Sequence, residues 1–98
     1  MAIYKFRQNN SGGRFVGPAI SVYVHAETAE QANALAEAEG VYFDEDYIYD
    51  CECCGTRWDS ASEWDIVKDF DAAIANDIEW NEEWAVADGV PNYIVIGG

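Results

Sequence analysis

The chain has 98 residues, of which 19 are acidic and five are lysine or arginine, so its formal net charge is −14. Residues 1–26 contain three cations and no acid, whereas residues 27–98 contain two cations and all 19 acids, which gives +3 and −17. So few cations exclude extended contact with a nucleic-acid backbone. The 50% hydrophobic content excludes a wholly disordered chain, and no apolar run has the roughly 20 residues that a membrane span needs. We expect a single cytoplasmic domain over residues 1–98 with neither a nucleic acid nor a membrane as partner.

The first part of the chain predicts two strands. Residues 3–7 alternate with a period of two, which places Lys5 and Arg7 on the same face. Residues 20–25 alternate in the same way, as in a strand with one buried face.

A helix is predicted after the second strand. Thr28 and Gln31 have the spacing of a capping box, and the alanine-rich run that follows should end at Gly40. The apolar face of this helix carries mostly small side chains. We therefore expect it to lie close against a sheet.

The last third of the chain is less regular. Serines before residue 63 can cap a helix, and an apolar stripe over residues 66–74 predicts a helix to about residue 76. Residues 77–84 fit both helix and loop. We expect a short strand at residues 84–86, a turn at residues 88–89 and a buried strand at residues 93–96. The elements together predict an α+β fold: a small, mainly antiparallel sheet with two helices and a cysteine-knuckle loop.

Three cysteines lie within four residues, and Cys51-x-x-Cys54 followed by glycine has the form of a zinc knuckle. Cys53 and His25 are further candidate ligands, and a carboxylate or the knuckle of a second protomer could complete a tetrahedral site. An odd number of clustered cysteines argues against disulfides. The sequence leaves two interpretations of similar weight, a structural zinc site and metal-free reduced thiols.

Residues 8–14 form a polar, glycine-rich segment that could bind a ligand. Its carboxamides, hydroxyl, accessible backbone amides and cation can hydrogen-bond phosphate oxygens, although the same residues also favour a plain hairpin turn. Arg57 and Trp58 add a guanidinium and a ring that could stack on a base, with a core position as the alternative for Trp58. The candidate ligand-binding residues are Lys5, Arg7, Gln8, Asn9, Asn10, Ser11, Gly12, Gly13, Arg14, Arg57 and Trp58.

Two motifs stand out, F-x-Q-N-N-S-G-G-x-F at residues 6–15 and D-C-x-C-C-G-x-R-W at residues 50–58. Over residues 4–58 the chain resembles a family of small, mostly phage-encoded proteins of unknown function. The resemblance implies a phage origin, and hence the cytoplasm of the host cell. It also implies that both motifs belong to one site or one structural core.

The residues form no recognisable catalytic set, so we expect a protein that is not an enzyme. The leading hypothesis is a phage protein that binds and sequesters a nucleotide, such as a signalling nucleotide of host immunity, and so counteracts host defence. The alternative is an acidic decoy that inhibits a host protein by occupying a basic or nucleic-acid-binding surface. The predicted partners are thus a nucleotide-type small molecule or a host protein, and a homo-oligomer could complete the pocket and share zinc.

Overall fold

The computed structural model describes residues 2–8, 17–41, 43, 58 and 60–97. The described elements are strands β1 (Ala2–Arg7), β2 (Ser21–Ala26) and β3 (Tyr93–Ile96), helices α1 (Ala29–Ala38) and α2 (Phe70–Asp88), and a 3₁₀ helix (Glu63–Asp65). The strands form one sheet in the order β1-β2-β3, in which β1 is antiparallel and β3 parallel to β2. The predicted α+β class is confirmed, and the sheet is mixed.

Helix α1 covers one face of the sheet and encloses the core. Alternate residues of β1 and β2 point toward it, and Ala32 and Ala36 are fully buried between helix and sheet. Because alanine adds little beyond Cβ, the helix can approach the strands closely, as predicted. The sheet contributes Tyr4, Phe6, Val22 and Val24 to this core.

The ends of α1 also follow the sequence prediction. The Thr28 hydroxyl accepts a hydrogen bond from the Gln31 backbone N–H at 3.1 Å. The Gln31 side chain accepts in turn from the N–H of Glu27 at 2.8 Å, one residue before the N-cap. The helix stops before Gly40, whose φ of 109° lies in a region that side chains disfavour.

Helix α2 begins later and runs further than predicted. Its N-cap is Asp69, whose carboxylate accepts from the Ala72 N–H at 3.1 Å. The predicted serine cap is wrong for this helix, because Ser62 caps the 3₁₀ helix instead.

The C-terminal half of α2 differs from the sequence prediction. Residues 77–84 are helical, and the short strand predicted at residues 84–86 is wrong, because the helix continues through them. The turn predicted at residues 88–89 is the end of this helix, where Gly89 adopts a left-handed conformation with φ 68° and ψ 28°. The strand predicted at residues 93–96 is confirmed as β3.

Candidate functional site

A buried carboxylate attaches α2 to the second face of the sheet. Asp77 is 3% exposed, and its Oδ1 lies 2.9 Å from Lys5 Nζ in an ion pair. The Tyr23 hydroxyl donates to Oδ2, the Ser21 hydroxyl donates to Oδ1 at 3.4 Å, and Asn81 Nδ2 donates to Oδ1 at 3.5 Å. Strand and helix residues therefore converge on one charge. They do so on the face of β2 that the alternation in this strand predicts to be exposed.

The surroundings of Asp77 set the electrostatics of this cluster. Burial raises the pKa of the Tyr23 phenol above its usual value, and the hydrogen bond to Asp77 and its negative charge raise it further. Lys5 Nζ also lies 5.2 Å from the centre of the Tyr23 ring, and Phe70 meets the same ring edge-on at 5.4 Å. Lys5 is thus held inside the fold with its charge compensated.

A groove between β1 and α2 opens beside this cluster. It contains a pocket of about 520 Å³ and a smaller one of about 200 Å³, and both are lined by Lys5, Arg7 and Asn76. Trp64 lines the larger pocket and Trp80 the smaller one. The larger pocket also has an apolar wall, which consists of Ile66, Val67 and Ala73.

The wall of the larger pocket is positioned by pairing with the edge of β1. Tyr4 forms an antiparallel bridge with Ile66, and the Val67 N–H donates to the Ile3 carbonyl at 2.7 Å. This pairing carries the 3₁₀ helix to the edge of the sheet.

The orientation of Trp64 follows from the cap of the 3₁₀ helix. The Ser62 hydroxyl accepts from the Trp64 N–H at 3.4 Å, and the Asp65 carboxylate accepts from the Ser62 N–H at 2.8 Å. Such a reciprocal box holds a single helical turn in place. It leaves the Trp64 side chain 88% exposed at the rim of the pocket.

Four of the candidate ligand-binding residues belong to the described part of the chain, and they have different environments. Arg7 is exposed in the groove, on the same face of β1 as Lys5, as predicted. Gln8 is buried and its Nε2 donates to the Ala19 carbonyl at 2.8 Å. Trp58 is 1% exposed within the core, which supports its core interpretation and leaves no ring surface for stacking on a base.

The other candidates of this set lie outside the described residues. They are Asn9, Asn10, Ser11, Gly12, Gly13, Arg14 and Arg57. Whether they converge on the groove stays a prediction.

The zinc prediction falls largely outside the described residues as well, since these do not include Cys51, Cys53 or Cys54. His25 is described: it is half-buried on β2, and its ring centre lies 6.3 Å from that of Phe70. Within the described ranges, no three His, Cys, Asp or Glu side chains are grouped so that they could hold a metal.

Trp64, Asn76 and Asp77 are among the residues of this region that sequence reasoning missed. A signal for Asp77 existed, because it lies seven residues after Phe70 and four before Asn81, on one helical stripe.

A family model described as a domain of unknown function (DUF7296) matches residues 1–94, so the chain belongs to that family. The result agrees with the predicted membership of a family of unknown function. No curated protein and no solved structure matches the chain. None of the helices in the described ranges is long and apolar enough to cross a membrane.

Proposed function

We propose that this protein binds and sequesters a nucleotide-type small molecule in the groove between β1 and α2. The observation that carries the proposal is the exposed Arg7 beside Trp64 and Asn76 in a pocket of about 520 Å³. Pockets of roughly 300–1,000 Å³ that combine apolar walls with a few polar groups are typical of small-molecule sites.

Arg7 would bind the phosphate. The charge of Lys5 is compensated by Asp77, whereas Arg7 forms no ion pair with another described residue. Asp65 also lines the pocket, and its carboxylate accepts a hydrogen bond from the Ser62 N–H. An arginine fork can donate two parallel hydrogen bonds to phosphate oxygens, so Arg7 suits this anion in geometry as well as in charge.

Trp64 and Asn76 would bind the base. A tryptophan that is 88% exposed offers a flat ring for stacking, which contributes about 1–3 kcal/mol per base. The Asn76 carboxamide can donate and accept hydrogen bonds, as the edge of a base requires. The apolar wall of the pocket would shield the other side of the ligand from water.

The proposed activity is stoichiometric capture without chemical change. The resemblance to mostly phage-encoded proteins supports a role in the host cytoplasm, where removal of a signalling nucleotide of host immunity would counteract defence. The acidic remainder of the chain would repel anions elsewhere on its surface, so that binding concentrates at Arg7.

Calorimetric titration with nucleoside monophosphates, cyclic dinucleotides and ADP-ribose tests the proposal. We expect at least one of these nucleotides to bind. Its affinity should be at least tenfold lower for Arg7→Gln and about fivefold or more lower for Trp64→Ala. Lys68→Gln is the matched control, because it makes the same charge change at an exposed residue that lines neither pocket.

Absence of binding across this panel would contradict the proposal, as would an equal loss in Arg7→Gln and Lys68→Gln. The bound nucleotide should be recovered intact when the protein is denatured. A hydrolysed or cyclised product would instead indicate an enzyme.

Zinc is a separate proposal that rests on the sequence, with Cys51, Cys53, Cys54 and His25 as its candidate ligands. Elemental analysis of the purified protein should find zinc that Cys51→Ser loses. A metal-free wild-type protein would assign the cysteines as reduced thiols.

A further inference from the structure

We infer that one face of α2 docks onto a basic surface of another protein through a pair of tryptophans. Trp80 and Trp84 are 68% and 46% exposed and lie four residues apart, so they share one side of the helix. Glu79 and Glu83, both exposed, form the neighbouring row with the same spacing. We call these four residues the α2 face.

The two tryptophans mark this face as a contact surface. Large aromatic side chains are normally buried, and tryptophan is among the residues that contribute most at protein interfaces. Within the described residues, α2 contributes nothing to the main core cluster, and its buried residue is Asp77. The α2 face is therefore not needed to cover the core. Trp80 also lines the smaller pocket, whereas Trp84 lines neither pocket.

The charges of α2 indicate the chemistry of the partner. From Asp69 to the end of the chain there are seven acids and no lysine, arginine or histidine. Glu79 repels Glu82 and Glu83 at spacings of three and four residues, and acids near the end of a helix oppose its dipole. These residues destabilise the isolated helix, and a cationic partner would relieve both effects.

Charge complementarity indicates that the partner of the α2 face is a basic protein surface with an apolar depression for the tryptophans. A second copy of the chain also carries −14, so two α2 faces would repel each other. A nucleic acid would be repelled for the same reason. A protein surface that binds nucleic acid has the required positive charge. By occupying such a surface, the α2 face would act as an acidic decoy.

Selection from a displayed random-peptide library against the immobilised full chain tests the inference. We expect enriched peptides to combine net positive charge with a large apolar residue, and to bind more weakly as salt is raised. Measured by fluorescence anisotropy, their affinity should fall at least tenfold for Trp84→Ala and for the double variant Glu79→Lys/Glu83→Lys.

The matched control is Glu30→Lys/Glu37→Lys on α1, which makes the same change in net charge at two exposed positions. Equal loss in both double variants would overturn the inference, as would enriched peptides without excess cations or no enrichment. A dimer in analytical ultracentrifugation that Trp84→Ala dissociates would reassign the face to a second copy. Arg7→Gln should leave peptide binding unchanged, which separates this test from that of the groove.

Discussion

Asp77 determines how α2 is attached to the sheet. Its carboxylate receives hydrogen bonds from Lys5, Ser21 and Tyr23 on the two neighbouring strands. A buried ion pair adds little net stability compared with a well-packed apolar pair, but loss of one partner leaves the other charge buried without compensation. The cluster therefore favours one position of α2 on the sheet, and with it the shape of the groove.

Replacement of Asp77 should destabilise the fold strongly. We expect Asp77→Ala to lower the free energy of unfolding by about 3–5 kcal/mol, because Lys5 keeps its charge without a partner. Urea denaturation measures the effect, and Glu79→Ala, an exposed acid on the same helix, should stay within about 0.5 kcal/mol. Addition of Lys5→Met to Asp77→Ala should recover part of the loss. A small effect of Asp77→Ala would contradict the buried pair.

The raised pKa of Tyr23 predicts a loss of stability at high pH. Above about pH 10 the phenol ionises in the unfolded chain but stays protonated in the folded one. The free energy of unfolding should therefore fall by about 1.4 kcal/mol per pH unit above that point, whereas the contribution is fully present below it. Urea titrations between pH 9 and 11 should show this slope in the wild type. In Tyr23→Phe the slope should be shallower by that amount. Equal slopes in the two proteins would contradict the raised pKa of Tyr23.

The two helices differ in how they pack. Helix α1 uses alanines to reach the core, whereas α2 meets the sheet with Asp77 and the ring of Phe70. Close packing is intolerant of added volume, while a polar attachment depends on paired charges. The two helices should therefore respond to different kinds of substitution.

Added volume under α1 should be costly. We expect Ala36→Leu to lower the free energy of unfolding by about 1–3 kcal/mol, since its side chain is fully buried against the sheet. Ala34→Leu places the same side chain at an exposed position of α1 and should change stability little. Thermal unfolding followed by circular dichroism compares them. Equal effects would show that α1 does not pack closely.

The sequence predicts α1 and the strands well because their signals are local. Thr28 and Gly40 mark the ends of α1, and the alternation of apolar residues marks β1 and β2. The sequence prediction is wrong for both ends of α2, because the signals there indicate other elements. Ser62 caps a shorter element, and an Asp-Gly pair that resembles a hairpin turn is a helix end.

The site was harder to predict than the fold, because its residues are distant in sequence. Arg7 was identified from its charge and Trp58 from its ring, yet the structure places one in the groove and the other in the core. Trp64 and Asn76 belong to no motif. The pairing of residues 66–67 with β1 brings Trp64 near Arg7, and the attachment of α2 through Asp77 brings Asn76 there. Tertiary contacts, which a single sequence does not reveal, thus decide the site.

The uneven charge distribution of the chain has two consequences. The acid-free first strand contributes Arg7 to a groove, and the last third of the chain presents carboxylates and tryptophans on α2. We propose that the groove binds an anion with a flat ring and that the α2 face binds a basic protein. Separate variants test the two surfaces, so each proposal can fail alone.

Mass spectrometry of the small molecules that the purified protein carries from cells tests nucleotide capture most directly. We predict that denatured wild-type protein releases a phosphate-containing species with the absorbance of a nucleobase. Arg7→Gln should release much less of it, whereas Lys68→Gln should release as much as the wild type. A wild-type protein that releases no such species, or equal release from all three proteins, would contradict nucleotide capture in the groove.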